Sequence, residues 1–153
     1  MHAARRLRAP VLGLMLVVTA SPAAERIFAS SEYAGALAVI DAASLEVVRT
    51  IPVGRGPRDL ELSPDGRWLY VALGPEDAIA VVDPASLTLE RKLPVGSDPE
   101  SFAVHPNGHI YLANEDTAQC SAIDPATGEV VARIPVGLEP EGVAVSPDGS
   151  RVL

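Results

Sequence analysis

The sequence predicts an all-β protein built from a repeat of about 42 residues, and three recurring segments predict it. The first is a turn motif, which reads SPDG, HPNG and SPDG from residues 63, 105 and 146. The second reads VIDAASL, VVDPASL and AIDPATG from residues 39, 81 and 122. The third reads IPVG, LPVG and IPVG from residues 51, 93 and 134. Because all three recur with spacings of 42 and then 41 residues, they belong to one structural repeat.

Each unit contains four short β-rich segments separated by turn residues. In the second unit they are RDLEL, WLYVAL, AIAVVD and LTLERKLPV, at residues 58–62, 68–73, 78–83 and 87–95. Pro64 presets φ for the second position of a turn and Gly66 tolerates a positive φ, so SPDG closes the first hairpin. Four antiparallel strands in about 42 residues make one propeller blade, whereas the 3.6-residue period of a helical solenoid is absent. The fold class is therefore a β-propeller of four-stranded antiparallel blades, with about three blades of an incomplete ring.

The proline of the third motif predicts where the fourth strand lies in each sheet. Pro52, Pro94 and Pro135 end that strand in the three units. Proline has no N–H group to donate to a neighbouring strand, so it is tolerated on edge strands. We therefore expect the fourth strand of each blade to form the outer edge of its sheet.

The first 23 residues predict a secretory signal peptide. Arg5, Arg6 and Arg8 precede an apolar run over residues 9–20, and the small residues of SPAAE follow. Blade 1 is then expected at residues 26–54 without its first strand, blade 2 at 55–96, blade 3 at 97–137, and a truncated start of blade 4 at 138–153. An open arc leaves blade faces uncovered, so we expect a fragment of a longer protein or a chain that associates with further copies. The expected location is periplasmic or extracellular, with no stable membrane span after cleavage.

The charge balance narrows the classes of partner. Without residues 1–23 the chain has 9 basic and 20 acidic residues, so its formal charge is 9 minus 20, or −11. Nucleic acid is a poor partner for such a chain. Cys120 is the only cysteine, so no internal disulfide can form, and no CxxCH motif is present for covalent haem attachment.

Several segments carry a resemblance to a known family. GVAVSPDG, LYVA and IYLAN, VVD and AID followed by PAS or PAT, and VVARIPVG resemble the YVTN-type β-propeller repeat, over residues 26–153. DPESFAVHPNGHIYLANEDT and IPVGLEPEGVAVSPDG are similar to β-propeller proteins associated with PQQ-dependent catabolism in bacteria. The resemblance implies a periplasmic propeller encoded alongside quinoprotein alcohol oxidation. It does not imply that the protein itself binds PQQ.

The repeat supplies an internal control for choosing functional residues. Residues that recur in every unit, such as Asp41, Asp83 and Asp124, are expected to be structural, here as acceptors for turn N–H groups. Residues that differ between units lie in the loop after each PVG motif and in the loop between the second and third strands, and in a propeller these loops share one face. The expected rim for a ligand or partner comprises Arg55, Arg58, Asp98, Glu100, Asn114, Glu115, Asp116, Glu139 and Glu141.

The sequence gives no catalytic assignment, because it contains no GxSxG elbow, P-loop or HExxH motif. The rim carboxylates are oxygen ligands of the kind that Ca²⁺ takes, but no EF-hand is present, and we expect no metal or cofactor. The residues favour an exported, non-catalytic propeller that binds a protein partner or a small ligand on its loop face. The alternative is a metal- or quinone-dependent propeller enzyme, an oxidoreductase or a lactone hydrolase, with part of its catalytic residues in further blades.

Overall fold

The computed structural model describes residues 17–19 and 25–153 of the chain. They form three four-stranded antiparallel sheets. The first contains β1 (Val17–Thr19), β2 (Arg26–Ser31), β3 (Ala36–Asp41) and β4 (Val47–Pro52). The second contains β5 (Pro57–Leu62), β6 (Leu69–Leu73), β7 (Ala78–Asp83) and β8 (Thr88–Pro94). The third contains β9 (Pro99–Val104), β10 (Ile110–Asn114), β11 (Gln119–Asp124) and β12 (Glu129–Pro135).

This architecture confirms the predicted fold class, an all-β chain of propeller blades in an incomplete ring. In every sheet the strands are paired in chain order. The first strand of the second blade, β5, contacts β2 and β9 of the neighbouring blades. After the third blade, a bridge between Val145 and Val152 is the only strand pairing in residues 138–153. In the described part of the chain, no helix has the length and apolar character needed to cross a membrane.

The first sheet differs from the sequence prediction, which left blade 1 without its first strand. β1 pairs with β2, with Val18 opposite Ile27, and takes the position that β5 and β9 hold in the other blades. β1 lies within the predicted signal peptide, residues 1–23, and the rest of that segment lies outside the described residues. The physical reason for the pairing is that β2 would otherwise expose unpaired N–H and C=O groups, and a valine-rich segment readily adds to such an edge.

The fourth strand of each blade is an edge strand, as the prolines predicted. β4, β8 and β12 each lie at one side of their sheet. Pro52, Pro94 and Pro135 pair with the first residue of the neighbouring third strand. The same three strands also carry an extra residue at one repeat position, where the pairing register shifts past Val48, Glu90 and Val131. Each blade therefore ends in a bulged edge.

The hydrophobic core lies between the blades. We call the face that a blade turns to the following blade its trailing face, and the opposite face its leading face. The first boundary buries Phe28, Leu37, Val39, Ile51 and Val53 of the first trailing face against Leu60, Leu69, Val71, Leu73, Ala80 and Val82. The second buries Tyr70, Ala72, Ile79, Val81, Leu93 and Val95 against Phe102, Val104, Ile110, Leu112 and Ile123. Since each fully buried side chain of this size stabilises the fold by about 1.5–3 kcal/mol, adjacent blades depend on each other.

The recurring aspartates have the structural role that the repeat predicted. The Asp41 carboxylate accepts the N–H groups of Ala43 at 3.0 Å and Ser44 at 2.8 Å. Asp83 and Asp124 accept the N–H group two residues ahead at 2.7 and 2.8 Å. These side chains hold the turn between the third and fourth strands of each blade.

Candidate functional site

The two kinds of variable loop lie on one face of the molecule. The Ser97 hydroxyl, in the loop after β8, donates to the Asp116 carboxylate at 3.2 Å. The N–H group of Asp98 donates to the Asp77 carboxylate at 3.0 Å. Asp77 and Asp116 belong to the loops that follow β6 and β10, each of which contains a 3₁₀ turn, Gly74–Glu76 and Glu115–Thr117. The loop that connects the second blade to the third is therefore hydrogen-bonded to the 3₁₀-turn loops of both blades.

Arg58, on β5, is the centre of a charged cluster on this face. Its Nη1 donates to Oδ1 of Asp98 at 3.0 Å and also to Oε1 of Glu100. Asp98, Glu100 and Glu115 each place a carboxylate oxygen within 4.8 Å of the others. We call these four residues the Arg58 cluster. It joins the second blade to the third, because Arg58 comes from β5 and its partners come from the next repeat.

The electrostatics of the cluster are dominated by partial burial. Burial raises the pKa of Glu100 above its usual value, Arg58 opposes this, and the Glu115 and Asp98 carboxylates raise the pKa further. The guanidinium group is about three-quarters buried, as are the Asp98 and Glu100 side chains. The Arg58 guanidinium group therefore offsets only part of the effects that raise the pKa of Glu100.

Because Gly74 has no side chain, Arg58 and Asp98 can approach its backbone closely. A Cβ atom on this glycine would lie 2.6 Å from Cζ of Arg58 and 2.8 Å from Oδ1 of Asp98. Contacts that close force a neighbouring group to move, and because the far end of the Arg58 side chain is flexible, a side chain at position 74 would displace the ion pair. Gly74 is not among the predicted rim residues. The repeat contained a signal, since position 74 corresponds to Glu115 in the next unit.

Asn114 differs from the prediction that placed it on an accessible rim. It is buried, its side-chain nitrogen donates to the Ser97 carbonyl at 2.9 Å, and its side-chain oxygen accepts from the Ser121 hydroxyl at 2.6 Å. The physical reason is its repeat position, which Leu73 occupies in the second blade on the leading face. Asn114 fixes the loop after β8 from inside the fold.

The other rim residues lie outside the cluster. Arg55 is exposed, donates its N–H group to Glu76 at 2.7 Å, and donates from Nη2 to the Pro75 carbonyl at 3.0 Å. Asp116 is exposed and accepts only the Ser97 bond among the described residues. Glu139 and Glu141 are exposed in the segment after β12. The structure thus brings together Arg58, Asp98, Glu100 and Glu115, and the exposed Asp116 follows Glu115 in the chain.

A cleft of about 520 Å³ lies on the opposite face, between the turns of the second and third blades. The Trp68 ring lies on one side of it, and the guanidinium carbons of Arg67 and Arg91 lie 5.1 and 5.5 Å from the ring centroid. His109 lines the other side. The cleft was not predicted from the sequence. The signal for it is that Trp68 and His109 occupy the same repeat position with different chemistry.

Comparisons with known proteins bear on the fold alone. No protein-family model matches the sequence, and no curated protein is similar to it by sequence search. Among solved structures, the chain is similar to Kuenenia stuttgartiensis hydrazine synthase, with a TM-score of 0.79 and 24% identity. The alignment covers 99% of this chain and 44% of that chain, so this chain spans less than half the length of that protein. The likeness supports a β-propeller architecture and does not extend to activity.

Proposed function

We propose that the protein is an exported, non-catalytic β-propeller of the YVTN type whose loop face binds a partner protein or a small ligand. The proposal places it in the periplasm or outside the cell, in the context of PQQ-dependent alcohol oxidation that the resemblance implies. The observation that carries it is the convergence of the variable loops. The loops that follow β10 and β12 add the exposed carboxylates of Asp116, Glu139 and Glu141.

The charge of this face favours a partner with a basic surface. Exposed carboxylates attract cationic partners over several ångströms, and such steering weakens as salt screens it. The Arg58 cluster is held by hydrogen bonds between blades, so it can present its charges without a large ordering cost on binding. An acidic cluster held by hydrogen bonds, with exposed carboxylates in the neighbouring loops, suits recognition more than proton transfer.

The test is site-specific photo-crosslinking in the compartment where the protein resides. A photoreactive residue at position 116 or 139 reports on the loop face, and one at position 46 is the matched control. Glu46 is also exposed and acidic, but it follows a turn between the third and fourth strands, away from the variable loops. We expect a defined cross-linked partner from positions 116 and 139 that fades at high salt. Equal cross-linking from position 46, or none from any position, would contradict the proposal.

The second candidate is a metal- or quinone-dependent propeller enzyme, and the close carboxylates of Asp98, Glu100 and Glu115 are the observation that favours it. Such oxygen ligands suit Ca²⁺. Arg58 occupies the same cluster and competes with a cation for two of the three carboxylates. Metal analysis and calorimetric titration with Ca²⁺, on the native chain and on Glu100→Gln, separate the two candidates. Stoichiometric Ca²⁺ or PQQ that is lost with Glu100→Gln would favour the enzyme.

A further inference from the structure

The cleft between the second and third blades contains a buried hydroxyl group without a partner. Tyr70 lines this cleft and is only 3% exposed. Its hydroxyl group forms no hydrogen bond with any described residue, and no described side-chain polar atom is both unpaired and closed off from solvent. The hydroxyl group therefore opens into the cleft, where an unpaired polar group indicates a site for a ligand. Burial raises the pKa of Tyr70, so the hydroxyl group keeps its proton near neutral pH and is able to donate it.

The first blade shows that the fold does not need this hydroxyl group. Phe28 occupies the repeat position of Tyr70 and is completely buried. It packs in the first blade boundary, as Tyr70 packs in the second. Two positions earlier the residue also differs, since Arg26 of the first blade is replaced by Trp68 in the second. The second boundary therefore carries a hydroxyl donor and an aromatic ring that packing between blades does not require.

Arg91 supplies a positive charge that is held in place at the same cleft. Its Nη2 donates to the Pro125 carbonyl at 3.1 Å, and its guanidinium carbon lies 5.5 Å from the centroid of the Trp68 ring. These two contacts restrict the guanidinium group, and its other N–H groups have no acceptor among the described residues. Planar guanidinium groups bind carboxylates through paired N–H groups, and one that is already oriented loses little freedom on binding.

The carboxylates that line the cleft are already engaged in their own turns. Asp65 accepts the N–H group of Arg67 at 3.0 Å, and Asp124 accepts the N–H group of Ala126 at 2.8 Å. The formal charges of Arg67 and Arg91 offset those of the two carboxylates, so an anionic ligand meets no net negative charge. The groups that remain free in the cleft are therefore donors, and they call for a ligand that accepts hydrogen bonds.

Apolar rings form much of the remaining lining. Pro64, Pro106 and Pro125 enclose the cleft together with the half-buried Trp68. The volume of about 520 Å³ is enough for an organic molecule of ring size. Small-molecule sites commonly combine such an apolar lining with a few polar groups that fix the orientation of the ligand. The lining therefore fits a ligand with an apolar ring and one acidic group.

We propose that this cleft binds a small aromatic monocarboxylate. The carboxylate accepts hydrogen bonds from the Tyr70 hydroxyl and the Arg91 guanidinium group, and the ring of the ligand contacts Trp68 and the proline rings. All of these residues belong to the second and third blades and to the turns between their strands. The site lies on the face opposite to the Arg58 cluster, so it is independent of the partner binding proposed for the loop face.

Titration of the full chain with benzoate and phenylacetate, followed by the fluorescence of Trp68, the single tryptophan, tests the proposal. We expect saturable binding of at least one acid, and binding of its uncharged amide that is at least about tenfold weaker, because the amide lacks the charge that Arg91 and Tyr70 bind. No saturation by either acid, or equal affinity for acid and amide, would overturn the proposal. Tighter binding of a peptide that ends in phenylalanine would assign the cleft to a peptide C-terminus and overturn the small-ligand assignment.

Two variants with matched controls test the assigned donors. Tyr70→Phe should weaken acid binding by about tenfold and keep the fold, because Phe28 already packs at this repeat position. Its control is Tyr111→Phe, at the same repeat position of the third blade and outside the cleft. Arg91→Gln should weaken binding by at least as much, with the exposed Arg49→Gln, at the same position of the first blade, as its control. Equal affinity in a variant and its control would overturn the assignment of that donor.

Discussion

The Asp59 carboxylate on β5 accepts a hydrogen bond of 3.0 Å from the N–H group of Phe102 on β9, across the boundary between two blades. The same oxygen accepts the Ser101 hydroxyl at 2.8 Å. Two residues further along β5, the Glu61 carboxylate accepts the N–H group of Val104 at 2.8 Å. β9 is an edge strand of its sheet, so carboxylates of the preceding blade replace the missing neighbour strand.

Replacing Asp59 by alanine should therefore destabilise the boundary. The variant leaves the N–H group of Phe102 without its acceptor in a partly buried position, and such a loss costs about 1–3 kcal/mol of the free energy of unfolding. Urea unfolding followed by the fluorescence of Trp68, the single tryptophan, measures it. Asp59→Asn is the control, because its amide oxygen can still accept one of the bonds. Equal stability of Asp59→Ala and the native chain would show that the bond is not needed.

Gly74→Ala should break the ion pair between Arg58 and Asp98 without changing any charge. The added Cβ would lie within 3 Å of both partners, and the flexible end of Arg58 is the part able to move. We expect the free energy of unfolding to fall by at most about 1.5–3 kcal/mol, the range of hydrogen bonds to charged groups. We also expect the pKa of Glu100 to rise further, since Arg58 lowers it in the native chain. Carboxyl NMR titration measures the second effect.

Gly142→Ala is the matched control for that experiment. A Cβ at Gly142 would meet nothing within 4 Å, and the residue lies in the same kind of loop after the PVG motif. Its free energy of unfolding and the pKa of Glu100 should equal those of the native chain. If Gly74→Ala behaves in the same way as this control, the close approach at Gly74 does not hold the ion pair in place.

Strong acid should destabilise the protein through its turns. Backbone N–H groups lower the pKa of Asp41 and Asp124, and the Ser146 hydroxyl with the N–H group of Ser150 lowers the pKa of Asp148 to about 2. Because these pKa values are lower in the folded state, their stabilisation is present above about pH 4 and is lost as the pH falls towards 2. Urea unfolding between pH 4 and pH 2 should show a falling midpoint. A variant with asparagine at all three positions should show a shallower slope, and an unchanged slope would contradict the assignment.

The half-buried Glu61 and Glu100 should have the opposite effect on stability at higher pH. Burial raises the pKa of Glu61 and of Glu100, so the stability linked to their protonation is present at low pH and is lost as the pH rises through the raised values. Glu61→Gln should remove part of this loss, because the amide oxygen still accepts the N–H group of Val104 and carries no charge. Comparing unfolding at pH 5 and pH 7 with the exposed control Glu90→Gln measures it. The same pH dependence in both variants would contradict the role of Glu61.

Local chemistry made most of the architecture predictable from the sequence. Pro94 and the SPDG turn constrain the backbone within a few residues, and the repeat then places the same feature in each blade. β1 was not predictable in this way, because its pairing depends on the open edge of β2 and not on any motif within residues 17–19.

The site was predictable as a face but not as a set of contacts. The repeat placed the variable loops together, yet the contact between Arg58 and Asp98 joins residues 40 positions apart in adjacent blades. Which carboxylates turn towards the guanidinium group depends on the positive φ of Asp98 and the space at Gly74. Asn114 was placed wrongly because its chemistry was given more weight than its register, and the register aligns it with the fully buried Leu73.

The bulge and the terminal proline that recur on β4, β8 and β12 restrict how this molecule can grow. A regular, unpaired edge strand can pair with a strand of another molecule. Repeated pairing of this kind produces extended intermolecular sheets. In this protein each of these edge strands is twisted by its bulge residue, and the proline at its end has no N–H group to donate. Addition of a further strand to the outer edge is therefore disfavoured in all three blades.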